Sequence, residues 1–135
     1  MSYWSRNYYP ASLTCLSDLR RFTAQVLRAA PGSDDVVQVV AELAANAILH
    51  TDSGKPDGVL TLHVAAFDDR WQVRIDDLGG SKVPKVQPVA KGDAEAGRGL
   101  AIVAALSSEW GVLGDEYARA VWAVIAIPKL KARHA

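Results

Sequence analysis

Only one cysteine, Cys15, occurs among the 135 residues, so no disulfide can join two parts of the chain. A reducing compartment is the expectation, with Cys15 as a small apolar residue of a first helix. No apolar run reaches the roughly 20 residues of a membrane span, and residues 1–10 hold no hydrophobic signal core. A cytoplasmic protein without a membrane partner is therefore expected. An excess of either charge is also missing: 15 Lys and Arg balance 15 Asp and Glu. With no basic run either, the electrostatic footprint of a nucleic-acid binder is absent. The three histidines, His50, His63 and His134, show none of the spacings of a metal cluster. There is no Walker A loop, no G-x-G-x-x-G after a strand and no G-x-S-x-G elbow.

What is present suffices for one ordinary domain over residues 1–128, followed by a short basic tail over 129–135. Residues 3–9 read as an aromatic edge strand ended by Pro10. Leu13, Leu16, Leu19, Phe22, Val26 and Leu27 recur at helical spacing until Pro31-Gly32, and Ser33 or Asp34 is placed to cap a second helix over 36–50. Strands are expected over 59–67 and 71–77, joined by the turn 68–70. Residues 79–97 lack periodicity and read as a long mobile loop, carrying Lys82, Lys85 and Lys91. A helix over 99–106 and a hairpin of strands over 110–113 and 120–127 complete the order. That order predicts an α+β, two-layer sandwich, with three helices on one face of a sheet that is antiparallel or mixed, mostly antiparallel.

The helix over 36–50 is unusual. Its only polar residues, Gln38, Glu42, Asn46 and His50, fall at every fourth position, and everything between them is Val, Ala, Leu or Ile. Four residues turn a helix through about 400°, so these side chains form one slowly drifting polar line. A helix so apolar demands burial, yet burying an unpaired amide costs roughly 2–7 kcal/mol and an unpaired carboxylate more. The line must face satisfied polar partners or a cavity that holds a polar ligand. His50, at its end, also reads as a helix-terminal hydrogen bonder.

In the strand over 71–77, Trp71, Val73 and Ile75 alternate with Gln72, Arg74 and Asp76, and Asp77 falls in phase with the apolar set. Asp77 is thus expected to face the covered side of the sheet and Asp76 the solvent. Followed by Leu78-Gly79-Gly80, an inward carboxylate can accept a hydrogen bond from a ligand that approaches the glycine backbone. An aspartate that merely starts a turn is the alternative on this pattern alone. Gly97-Arg98-Gly99-Leu100 stands where the long loop meets a helix, an arrangement suited to phosphate binding and equally to a plain turn.

Taken in order, these strings resemble a known family. Residues 42–50, Glu-Leu-Ala-Ala-Asn-Ala-Ile-Leu-His, resemble the N box of the GHKL, or Bergerat-fold, ATP-binding superfamily. Asp77-Leu78-Gly79-Gly80 resembles its G1 box and Gly97-Arg98-Gly99-Leu100 its G2 box. The chain looks most like the small anti-sigma-factor serine/threonine kinases and their actinobacterial relatives, on the further strength of Ser108-Glu109-Trp110-Gly111 and Val121-Trp122-Ala123. The resemblance implies ATP and Mg²⁺ as cofactors. It assigns Glu42 as general base, Asn46 to the Mg²⁺ on the phosphates, and His50, Gly79 and Gly80 to the nucleotide site. Asp77 would receive the adenine amino group, and Gly97, Arg98, Gly99 and Leu100 would line the phosphates under a lid over 81–96. Two departures stand out. Ser81 follows Gly80 where a further glycine is usual, and Ala118-Arg119-Ala120 replaces a Gly-x-Thr pattern that would bring a hydroxyl near the nucleotide.

Two functions follow as expectations. One is a kinase that passes the γ-phosphate to a Ser or Thr of a STAS-type anti-anti-sigma protein, with a sigma factor as a second partner and a homodimer as a possible assembly. The other is a catalytically silent switch whose affinity for a protein partner changes with bound nucleotide.

Overall fold

A computed structural model describes residues 1–79 and 95–128, and for Asp52 and residues 95–98 the backbone alone. Gly80, the three loop lysines, nearly all of the expected lid, His134 and the basic tail lie outside the described residues.

Among the described residues eight main elements follow in order: strand β1 (Ser2–Tyr8), helices α1 (Leu16–Val26) and α2 (Ser33–His50), strands β2 (Leu60–Ala66) and β3 (Arg70–Asp77), helix α3 (Glu95–Leu106), and strands β4 (Glu109–Gly114) and β5 (Arg119–Ala126). The strands form one sheet in the order β1-β2-β3-β5-β4, and each pairing is antiparallel. The expected α+β sandwich is therefore present, and of the two sheet types it is the antiparallel one. Period-two alternation sets the covered face: Leu60, Leu62 and Val64 of β2, Trp71, Val73 and Ile75 of β3, and Val121, Ala123 and Ile125 of β5 are all buried. Leu19 of α1, Leu43 of α2 and Leu100 of α3 meet them in one core. Each such side chain contributes roughly 1.5–3 kcal/mol on leaving water.

The first helix is shorter than its leucine pattern. Leu13–Cys15 form a 3-10 turn after the extended Ser12, and α1 ends at Val26, well before Pro31. Its exit is made by Arg28 and Ala29, both left-handed, with φ of 53° and 50°. A Cβ is costly there. Ala29→Gly is expected to raise stability by about 0.5 kcal/mol, whereas Ala24→Gly inside α1 should lower it by about 1 kcal/mol. Thermal melts of the two variants read the difference directly.

Helix α2 begins three residues earlier than its apolar pattern, at Ser33, and neither Ser33 nor Asp34 caps it. The capping position is Gly32, in the left-handed region, under the ring of Pro128 from the end of β5. Ser33 is drawn into the core as a result, at 3% exposure. Asp34 and Asp35 remain in the first turn, where they oppose the helix dipole. At the other end, Thr51 donates through Oγ1 to the Ala47 carbonyl at 2.5 Å.

Among the described residues no helix is long and apolar enough to cross a membrane.

Candidate functional site

Helix α2 lies between α1 and α3 against the sheet, which accounts for its near-continuous apolar surface. Its polar line is the exception. Gln38 and Glu42 are half-buried, Asn46 is buried and His50 is exposed. The polar requirement is met unevenly along it. Gln38 Nε2 donates to Glu42 Oε1 at 2.7 Å, so the carboxylate has one partner on its own helix. The Asn46 amide has no hydrogen bond to any described residue, although the residue is only 9% exposed. An amide without a partner among the described residues, whose polar atoms still reach the surface, is open to a ligand. His50 closes the helix a turn beyond Asn46, where a protonated imidazole would complement the dipole.

The second oxygen of Glu42 points to α3. A Cβ built on Gly99 would lie 2.7 Å from Glu42 Oε2, so a side chain at 99 would push the carboxylate from its present place. This alters the expected junction. Helix α3 starts at Glu95, so Gly97-Arg98-Gly99-Leu100 lies within the helix rather than ahead of it. Ala94, Glu95 and Ala96 are good helix formers by residue type. Only the first four N–H groups of a helix lack intrahelical acceptors. Gly97 and Arg98 supply two of these, while Gly99 packs on Glu42 and Leu100 is a core residue at 2% exposure.

Asp77 ends β3 on the covered face, at 7% exposure, as the alternation requires. Asp76 points the other way. There it meets His63 Nε2 at 2.8 Å and Arg74 Nε at 2.8 Å, and Tyr3 Oη hydrogen-bonds the other nitrogen of His63. Asp77 Oδ1 accepts the Gly79 N–H at 2.6 Å. Burial pushes its carboxyl above the ordinary value, against the smaller opposing pull of that N–H and of Arg119. Gly79 has φ of +74°, and a Cβ there would stand 2.4 Å from the Glu116 carbonyl oxygen, so the turn after Asp77 admits no side chain.

Two residues of this region were not among the sequence candidates. Ser53, fully buried, accepts the Leu78 N–H on its Oγ at 2.9 Å, which fastens the loop after α2 to the turn that carries Asp77. Nothing in a Ser-Gly-Pro loop marks it beforehand. Arg119 stands directly opposite Asp77 in the β3–β5 register and is 5% exposed. The signal for it was available: Arg119, Val121, Ala123 and Ile125 alternate as the inward residues of β3 do. Of the three residues in the departed Gly-x-Thr pattern, it is Arg119 that shares the covered face with Asp77, while Ala120 pairs with the outward Asp76.

The structure thus draws the three strings together by two links, Glu42 on Gly99 and Ser53 on Leu78. Among the described residues no group of three or more His, Cys, Asp or Glu could hold a metal ion unaided. A carboxylate and an amide on α2 and an inward aspartate fit a phosphorylated nucleotide whose own oxygens complete the shell of a cation. The histidine kinase-like ATPase domain family matches residues 9–124, most of the chain. No curated protein sequence matches closely enough to count as a relative.

Proposed function

Because the chain belongs to the histidine kinase-like ATPase domain family, we propose that it is an ATP-binding regulatory protein that phosphorylates a Ser or Thr of a STAS-type anti-anti-sigma partner. The observation that carries this reading is the α2 pair: Glu42, held by Gln38, one helical turn from the unpartnered amide of Asn46. Asn46 would hold Mg²⁺ on the phosphates, and the bound nucleotide supplies the transferable phosphoryl group. Glu42 would take the proton of the partner hydroxyl as its oxygen bonds to the γ-phosphorus and the bond to the leaving ADP breaks. Catalysis of this kind rests on positioning and charge neutralisation. Asp77 accepts from the adenine amino group.

A nucleotide-dependent switch without transfer is the second reading. Glu42 favours it in one respect, since Oε1 already accepts from Gln38 and Oε2 lies against α3. Radiolabelled ATP with a candidate STAS protein separates the two, because label on the partner requires transfer. Nucleotide binding itself is tested by melting. Mg-ATP at about a hundred times its Kd should stabilise the fold by roughly 2.7 kcal/mol, a rise on the order of 10 °C in Tm. No shift with millimolar ATP or ADP, with or without Mg²⁺, overturns both readings.

A further inference from the structure

We propose that the free edge of β4 is an interface for a second copy of this chain, with the two β4 strands pairing antiparallel around Gly111. The inference is independent of the nucleotide site. Strand β4 stands at one border of the sheet, and among the described residues its strand neighbour is β5 alone. Sheet borders in soluble proteins are commonly blunted by lysine or proline, whereas Glu109–Gly114, with the sequence Glu-Trp-Gly-Val-Leu-Gly, carries neither. Such an edge is open to pairing.

The backbone selects the register. In an antiparallel ladder hydrogen-bonded and non-hydrogen-bonded pairs alternate. The Asp115 N–H donates to the Ala118 carbonyl at 2.9 Å, and carrying the alternation back along the β4–β5 register turns the backbone groups of Leu113, Gly111 and Glu109 toward β5. Those of Val112 and Trp110 then point to the free edge. A twofold axis through the sheet at Gly111 sets Trp110 of each copy opposite Val112 of the other, each pair exchanging both its N–H···O bonds. The side chains agree with this register. Trp110 and Val112 lie at the rim of the core and are only partly buried in one copy, so their meeting across the seam extends the core. On the other face Leu113, at 57% exposure, comes opposite Glu109, while at the centre Gly111 meets Gly111 with no Cβ between them. The Trp122 indole already lies over Gly111, where a Cβ would stand 2.7 Å from Cζ2, so two indoles would roof the seam. Moving the axis to Val112 instead sets Glu109 opposite Asp115, like charges at both ends, and asks Gly114, with φ of +93°, to serve in the ladder. The Gly111 centre avoids both. A seam running only from Glu109 to Leu113 is small, which puts the association in the weak, concentration-dependent class.

Sedimentation velocity of the full chain over a range of concentrations, with no nucleotide or other protein added, tests the seam. The wild type should pass from monomer to dimer as concentration rises. Leu113→Glu puts a carboxylate opposite Glu109 at both ends of the seam and should raise the dimer Kd by roughly tenfold. Adding Glu109→Lys to that variant turns both repulsions into attractions and should bring the Kd back to within about threefold of the wild type. Both positions are exposed in one copy, so the Tm of the monomer should hardly move. Leu113→Lys faces Glu109 with an opposite charge and should tighten the dimer, and it is the second probe if Leu113→Glu does not fold. A wild type that stays monomeric throughout overturns the proposal. So does a dimer indifferent to Leu113→Glu, which would place the contact elsewhere. Dimerisation lost in Leu113→Glu and not regained with Glu109→Lys overturns the Gly111 register.

Discussion

Glu42→Gln is expected to leave nucleotide affinity nearly unchanged while phosphoryl transfer to a STAS-type partner falls by roughly 10²–10⁴-fold. The change is close to isosteric. The new amide oxygen can still accept from Gln38 Nε2, which now makes its 2.7 Å bond to the carboxylate. The contact with α3 is kept as well, because the amide has the size of the carboxylate that now lies against Gly99. What disappears is the ability to take a proton. Single-turnover transfer assays beside calorimetric titration separate the two quantities. Should the wild type itself pass no phosphate to any STAS protein that it binds, the switch reading takes over and Glu42 becomes a group that orders the helix interface.

Asp77→Asn is expected to weaken ATP by roughly 10–100-fold and yet to leave the fold as stable as the wild type at pH 7, or more so. The second half comes from the direction of the titration. Burial is the largest influence on the Asp77 carboxyl and raises its pKa, outweighing the Gly79 N–H and Arg119. Folding therefore favours the protonated form. The stability this represents is complete below the unfolded value near pH 4 and is lost as pH rises through the folded-state value. At pH 7, above the unfolded value, the buried carboxyl therefore costs stability, and Asn removes that cost while keeping an acceptor for Gly79. Asp76→Asn makes the opposite control: it lies on the far face with His63 and Arg74 and should leave ATP affinity unchanged. Equal losses of affinity in the two variants would place the base elsewhere.

The choice between these adjacent aspartates was legible in the sequence because a strand has a period of two and the apolar set runs unbroken from Trp71 to Ile75. The polar line of α2 was legible for the same kind of reason, and the burial of the helix on several sides bears out its apolar composition. The helix boundaries were not. Gly32 became the cap of α2 because Pro128, nearly a hundred residues later, covers it. The start of α3 was hidden by two glycines that read as loop, when both lie inside the helix and Gly99 lies against Glu42. Ser53 depended on a distant turn. Each of these is fixed by a contact remote in sequence, which local propensity and periodicity cannot register. Arg119 differs: alternation pointed to it, but an arginine in phase with Val121 and Ala123 goes against the ordinary rule that such residues stay outside.

Strand β1 precedes the residues matched by the family and places none of the candidate side chains, yet it pairs with the whole of β2, from Ser2 opposite Ala66 to Tyr8 opposite Leu60. Without it, β2 would present its unpaired backbone to solvent along a strand whose alternate residues are Leu60, Leu62 and Val64. Such an edge is a template for indiscriminate strand addition. With β1 in place, the border of the sheet becomes a segment containing Ser2, Ser5, Arg6 and Asn7, all exposed, and Arg6 is drawn sideways onto Asp18. That margin is more polar than the β2 strand it covers, although Tyr3 is exposed on it as well. The seven-residue first strand thus closes an edge that β2 would otherwise leave open, at the border opposite to β4 in the strand order.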